Sequence, residues 1–181
     1  MTNASPLRTP HCADTRSRFI WAHSLLIYAW VFGATLILGL ATLAVSVFSR
    51  RGHMGHRVGQ VWGRSILAVS GIRVAVLGLE RLDPATAYVF MANHQSNYDI
   101  PVLLGCLPVQ FRWLAKAELF KIPLFGRAMR AAGYIRIDRT NRSSAFQSLG
   151  EAAGCLRRGV SILIFPDVDG RNPAITCANS G

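Results

Sequence analysis

Acidic side chains are scarce in this sequence: 9 Asp and Glu stand against 20 Lys and Arg in 181 residues, a formal net charge of +11. Charge of either sign is thin, at 16% of residues, while 51% are hydrophobic. A chain this apolar does not read as disordered. Cysteine is sparse and scattered, at Cys12, Cys106, Cys155 and Cys177, with no C-x-x-C pair and no histidine cluster. That excludes a disulfide framework and a structural zinc site, and it fits a reducing compartment. Cys106 and Cys155 lie in apolar surroundings and read as core residues. There is no G-x-S-x-G elbow, which argues against a serine hydrolase triad. Internal repeats and low-complexity segments are missing too. The basic excess leaves nucleic acid, anionic lipid or an anionic substrate as partners. The arginines are spread along the chain with no recognition motif, which weighs against nucleic acid.

What the chain does have is one long uncharged run, Leu25 to Phe48, of 24 residues. As a helix it measures about 36 Å at ~1.5 Å per residue, against a hydrocarbon core of ~30 Å. Trp21, Tyr28 and Trp30 cluster toward its start, where aromatic rings favour the interface. A signal peptide is the competing reading, with Ala44-Val45-Ser46 as a small-x-small triplet. The run, however, exceeds the roughly 7–15 residues of a signal core. Arg50, Arg51, Arg57 and Arg64 follow the run, whereas Arg8, Arg16 and Arg18 precede it, offset by Asp14. This balance puts the downstream domain on the cytoplasmic side of the cell membrane. His56 to Ser70 comes next, with Val58, Val61, Trp62, Ile66 and Val69 at helical spacing. It reads as an amphipathic helix, packed either on the domain core or into the lipid interface.

Beyond Gly71 the pattern alternates between strands and helices. Strands are expected at Ile72–Gly78, Tyr88–Ala92, Val109–Ala115, Tyr134–Ile137 and Val160–Phe165. The second is apolar on both faces and reads as central in a sheet. Helices are expected from Asp99, from Pro123 to about Ala132 with Gly133 as its cap, and from a Ser143-Ser144 cap to Arg158. The last would bury Phe146, Leu149, Ala153 and Leu156. The fold class is therefore α/β, a sandwich of helices on a sheet.

Asn93-His94-Gln95-Ser96-Asn97-Tyr98-Asp99 stands out as a polar island between apolar runs. It follows a strand, where open α/β sheets gather their sites. An acid that accepts from one ring nitrogen of His94 leaves the other as a base, and Asp99 is spaced for that. A lone histidine is as often structural, so the local pattern leaves both readings open. Lys116 and Arg139 each follow a strand and would suit a phosphate at the same sheet edge. Read locally, Lys116 would instead pair with Glu118 or solvent, and Arg139 with Asp138.

Three segments in order, NHQSNYD at 93–99, KAELFKIPLFG at 116–126 and GYIRIDR at 133–139, resemble the glycerolipid acyltransferases of the 1-acylglycerol-3-phosphate type. The resemblance covers about residues 56 to 166. It implies that His94 is the general base on the free sn-2 hydroxyl of lysophosphatidate, that Asp99 orients it, and that the hydroxyl attacks the thioester of acyl-CoA or acyl-carrier protein. It also implies that Lys116, Arg139 and Gly133 belong to the substrate-binding set. No metal or other cofactor is implied.

The chain departs from the family pattern in two places. Arg136 stands where the family often has an aromatic residue. The family's F-P-E-G-T-R becomes Phe165-Pro166-Asp167-Val168-Asp169-Gly170-Arg171, and no periodicity follows. This switch reads as a frameshift or truncation, which would leave Val160–Phe165 as an exposed sheet edge. The expected organisation is a basic tail at 1–18, a membrane helix plus amphipathic helix at 19–70, an incomplete acyltransferase domain at 71–166 and an irregular tail at 167–181. The alternative to an active enzyme is an inactive truncated relative, kept only as a membrane-anchored fragment.

Overall fold

The computed structural model describes residues 12–48, 52–138 and 140–166. Helix α1 (Cys12–Ser46) carries the apolar run. Its stretch Ile20–Ser46 is long and apolar enough to cross a membrane. Helix α2 (His53–Val69) then runs back along it. Two indoles fix that pairing: Trp30 Nε1 donates to Ser65 Oγ at 3.3 Å, and Trp62 Nε1 donates to Thr35 Oγ1 at 3.0 Å. Near the turn Gly55 faces Thr42, and a Cβ there would stand 3.1 Å from the Thr42 methyl. The other side of α1 stays open, with Phe32, Leu36, Ile37 and Leu40 all more than half exposed. So α2 packs on α1 and the domain, burying His56, Gly63, Ile66 and Leu67, while Arg57 and Val61 face outward.

The rest is an α/β domain: β1 (Val89–Met91), α3 (Asp99–Cys106), β2 (Phe111–Lys116), α4 (Phe125–Ala131), β3 (Ile135–Ile137), α5 (Arg142–Arg157) and β4 (Ser161–Ile164). Short 3-10 turns lie at Leu79–Arg81 and Ala117–Lys121. The sheet is parallel throughout, in the order β1-β4-β2-β3. Alternate residues of β2 and β4 feed two cores. Phe111, Trp113 and Leu163 pack with Leu104 of α3 on one face, and Leu114, Ile162 and Ile135 pack with Ala152 of α5 on the other.

Several expectations need correction. Ile72–Gly78 forms no strand; Val74, Val76 and Leu77 are exposed, and among the described residues the alternating segment joins no ladder. Strand β1 is at the edge of the sheet, not central, with Val89 and Met91 half exposed. The central place goes to β4, which pairs with β1 on one side and β2 on the other, so the expected exposed edge at 160–165 does not exist. Leu163 there is fully buried. On α5 the cap is Asn141, whose side chain accepts from the Ser144 N–H, and not Ser143-Ser144. The helix is rotated from expectation: Ser148 and Ala152 are buried, while Phe146 and Leu149 are exposed. The Ser148 hydroxyl explains the rotation, because it bonds the Arg136 carbonyl of β3 at 2.7 Å.

Candidate active site

In a parallel sheet every strand ends at the same edge, so the residues after β1, β2, β3 and β4 meet there. His94 follows β1, Lys116 ends β2, and Phe165 and Pro166 follow β4. The Ala92 N–H donates to the Ile164 carbonyl at 3.2 Å, which ties the exit of β1 to the end of β4.

Asp99 is the first residue of α3, and its carboxylate turns back over the loop. One oxygen, Oδ2, accepts from the Gln95 N–H at 2.7 Å, the Ser96 N–H at 2.8 Å and the His94 ring Nδ1 at 3.0 Å. The Ser96 N–H is the main reason its carboxyl is held below the usual carboxylate range; the His94 ring and the Gln95 N–H add to this, and partial desolvation opposes it. An ionised carboxylate only accepts, so Nδ1 carries the hydrogen and the neutral ring leaves the Nε2 lone pair free. The Ser96 hydroxyl receives the Tyr98 N–H, and the Tyr98 hydroxyl bonds Ser70 Oγ at 3.0 Å, fastening the loop to the end of α2.

Behind the imidazole lies Phe165, stacked at 4.3 Å between centroids and 13° from parallel. Trp113 supports Phe165 in turn at 5.1 Å. By local pattern Phe165 is only the end of a strand and the start of the altered F-P-E-G-T-R segment. The signal for its contact was topological: β4 lies beside β1, so the residue after β4 stands next to the residues after β1. The pair His94–Asp99 remains accessible, with side chains 40% and 26% exposed.

The other candidate residues are distributed unevenly. Lys116 is exposed at the end of β2. Arg139 lies outside the described residues. Gly133 is not gathered with His94: it sits between α4 and β3, at the opposite edge of the sheet, with φ +77° and its N–H bonded to the Arg130 carbonyl. Among the described residues no group of three or more His, Cys, Asp or Glu side chains could hold a metal.

The parallel α/β fold is shared with a known structure. The chain belongs to the acyltransferase family, whose model matches residues 73–180. That match runs past Pro166 into the segment where the sequence leaves the F-P-E-G-T-R pattern. Among curated relatives, the human 1-acyl-sn-glycerol-3-phosphate acyltransferase alpha is 34% identical over 134 residues, covering 72% of this chain and 47% of that protein. A 1-acyl-sn-glycerol-3-phosphate acyltransferase of Chlamydomonas reinhardtii is 28% identical over 167 residues, covering 92% of this chain and 49% of that protein. The crystal structure of the 1-acyl-sn-glycerophosphate (LPA) acyltransferase PlsC from Thermotoga maritima superposes with a TM-score of 0.61 at 27% identity, over 83% of this chain and 62% of that one. The chain spans about half the length of the curated relatives it matches.

Proposed function

We propose that this acyltransferase-family chain moves a fatty acyl group from acyl-CoA or acyl-carrier protein to the sn-2 hydroxyl of 1-acylglycerol-3-phosphate, giving phosphatidate. The observation that carries this reading is the 3.0 Å contact of His94 Nδ1 with Asp99 Oδ2, which leaves Nε2 as the base. Nε2 takes the hydroxyl proton as the oxygen attacks the thioester carbonyl carbon. The carbon–sulfur bond then breaks, and the thiolate leaving group recovers the proton from the imidazolium. Asp99 stabilises that imidazolium, as an orienting carboxylate does. No covalent acyl-enzyme is required.

In this reading Lys116 and Arg139 receive the acceptor phosphate, while Gly133, at the far edge of the sheet, serves only by ending α4 and turning the chain into β3. The open apolar face of α1 holds the protein at the cell membrane, with the α/β domain on the cytoplasmic side. The similarity to lysophosphatidate acyltransferases of human and algal origin supports the substrate class.

The test is direct. The chain is expressed in membranes, given lysophosphatidate with acyl-CoA, and compared with His94→Ala. Phosphatidate formed by the wild type and not by the variant is the expected result. If neither exceeds background, the reading fails in favour of an inactive relative, the alternative that the altered motif after Pro166 favours.

A further inference from the structure

Helix α3 begins on a residue that local helix chemistry does not select. N-cap positions favour Ser, Thr, Asp and Asn, whose short side chains reach the free N–H groups of the first turn. Here the N-cap is Tyr98, and its side chain makes no capping bond. The Ser96 hydroxyl receives the Tyr98 N–H at 3.2 Å, and the Ser96 carbonyl receives the Asp99 N–H at 3.0 Å. The phenol reaches away from its own helix to Ser70, the C-cap of α2, with the two hydroxyls 3.0 Å apart. We propose that Tyr98 is a positioning residue for acyl transfer: its bond to Ser70 holds the first turn of α3, and so the Asp99 carboxylate, in register with His94. This role rests on the reading of His94 as the base and Asp99 as its orienter.

Ser70 is a firm anchor. Gly71, with φ +68°, turns the chain out of α2; its N–H bonds the Ala68 carbonyl at 3.1 Å, and the Ile72 N–H bonds the Leu67 carbonyl at 3.0 Å. This Schellman closure satisfies the last carbonyls of the helix and fixes its end. Further back along α2, Arg64 Nε donates to the Gly105 carbonyl at 2.9 Å and Gln60 Nε2 to the Leu107 carbonyl at 3.3 Å. Those two bonds hold the C-terminal end of α3, where carbonyls lack helical partners. Thus α2 holds α3 at its end through Arg64 and Gln60, and at its start through Ser70 and Tyr98.

The loop that carries His94 has little else to fix it. Asn93 to Asn97 are exposed, so burial does not hold them. Among the described residues, every other hydrogen bond of 93–99 stays within the loop and α3. The Phe165 stack supports the His94 ring and not the carboxylate. Asp99 follows Tyr98 directly, and the three groups that Oδ2 accepts from belong to Gln95, Ser96 and His94. A displaced first turn of α3 would therefore move the carboxylate against the imidazole. Misplacing a catalytic group by about 1 Å can cost about 10²-fold in rate.

Tyr98→Phe keeps the ring and removes only the hydroxyl. In the full chain in membranes it is expected to lower kcat for phosphatidate formation about tenfold, with KM for lysophosphatidate and acyl-CoA changed by less than about twofold. Ser70→Ala, which removes the other hydroxyl, is expected to give the same loss, and the double variant no more than either single change. Ser70→Thr keeps a hydroxyl and is expected to retain most of the activity. Tyr88→Phe is the control, because that phenol accepts the Asp83 N–H ahead of β1, and kcat is expected to hold. The imidazole nitrogen shifts of His94 in NMR are expected to move in Tyr98→Phe and Ser70→Ala and to stay in Tyr88→Phe. If the wild type makes no phosphatidate, the acyltransferase reading fails and these shifts alone decide whether Tyr98 places Asp99 against His94. An unchanged kcat in Tyr98→Phe, additive losses in the double variant, a raised KM with kcat kept, or unmoved His94 shifts would each overturn the proposal.

Discussion

The His94 imidazole lies flat against the Phe165 ring, 4.3 Å between centroids and 13° from parallel, so the last residue before Pro166 forms the wall of the candidate base. The contact joins the 93–99 segment to the start of the segment that departs from F-P-E-G-T-R. It also means that the Phe165 retained there has a physical role even where the residues after Pro166 differ.

Removing that wall should loosen the ring without touching its hydrogen bond. Aromatic pairs contribute about 0.5–1.5 kcal/mol beyond the area they bury. Phe165→Ala is therefore expected to lower kcat by about tenfold, with Phe165→Tyr keeping most of the activity. Steady-state kinetics with lysophosphatidate and acyl-CoA decides it; an unchanged kcat in the alanine variant would show that the stack does not position His94.

Asp99→Asn is expected to cost about 10²–10⁴-fold in kcat. With its oxygen in the place of Oδ2 the asparagine can still accept from the Gln95 and Ser96 N–H groups and from Nδ1, so the loop and the tautomer are kept. What is lost is the negative charge that stabilises the imidazolium as Nε2 takes the proton. The nitrogen shifts of the imidazole in NMR would report the tautomer independently of turnover, and a hydrogen moved to Nε2 in the variant would contradict this explanation.

A third expectation concerns the contact of α2 with α3, which sets where Asp99 begins its helix. A Cβ on Gly63 would stand 2.7 Å from the Pro101 carbonyl oxygen and 3.1 Å from the Gly105 nitrogen. Both neighbours are backbone and cannot rotate aside. Gly63→Ala should destabilise the fold by about 1–3 kcal/mol, the usual range for overpacking. Thermal unfolding in detergent would measure it, and a variant as stable as wild type would show that α2 and α3 can separate freely.

Much of this arrangement was legible in the residues. The long uncharged run, the helical spacing of Val58 to Val69 and the polar island at 93–99 each carry a local period or contrast, and each became the expected element. The pairing of His94 with Asp99 was readable because it spans five positions and needs no distant partner. What local pattern does not contain is sheet order. Tyr88–Ala92 and Val160–Phe165 are both short apolar runs, and nothing in them says that the first lies at the edge and the second at the centre. The same limit applies to α5. Phe146 and Leu149 are apolar but exposed, because Ser148 finds the Arg136 carbonyl on β3 and turns the helix by a contact across the chain. Ile72–Gly78 shows the converse, an alternating pattern with no strand beside it among the described residues.

The last prediction follows from His56, a buried histidine away from the candidate site. It is fully enclosed, packs edge-on against Phe111 at 4.6 Å, and bonds the Tyr134 hydroxyl through Nδ1 at 3.4 Å. Burial, with the nearby charge of Arg112, lowers its pKa from 6.5 to about 3, against the opposing effect of a backbone hydrogen bond at Val109. The folded protein therefore keeps His56 neutral over a range where the unfolded chain protonates it. Stability owed to this difference is intact above pH 6.5 and is lost progressively as pH falls from there toward 3. The slope is about 1.4 kcal/mol per pH unit for one proton. The depressed carboxyls of Asp83, Asp99 and Asp138 act in a lower window, because their stabilisation is lost only as pH falls below the ordinary value of 3.8. Between pH 6 and 4.5 the histidine effect thus stands apart. Denaturant melts of wild type and His56→Phe across that interval are expected to differ in slope by about one proton. Parallel slopes would mean that His56 is protonated in the folded protein and that its enclosure is less complete than its packing against Phe111 indicates.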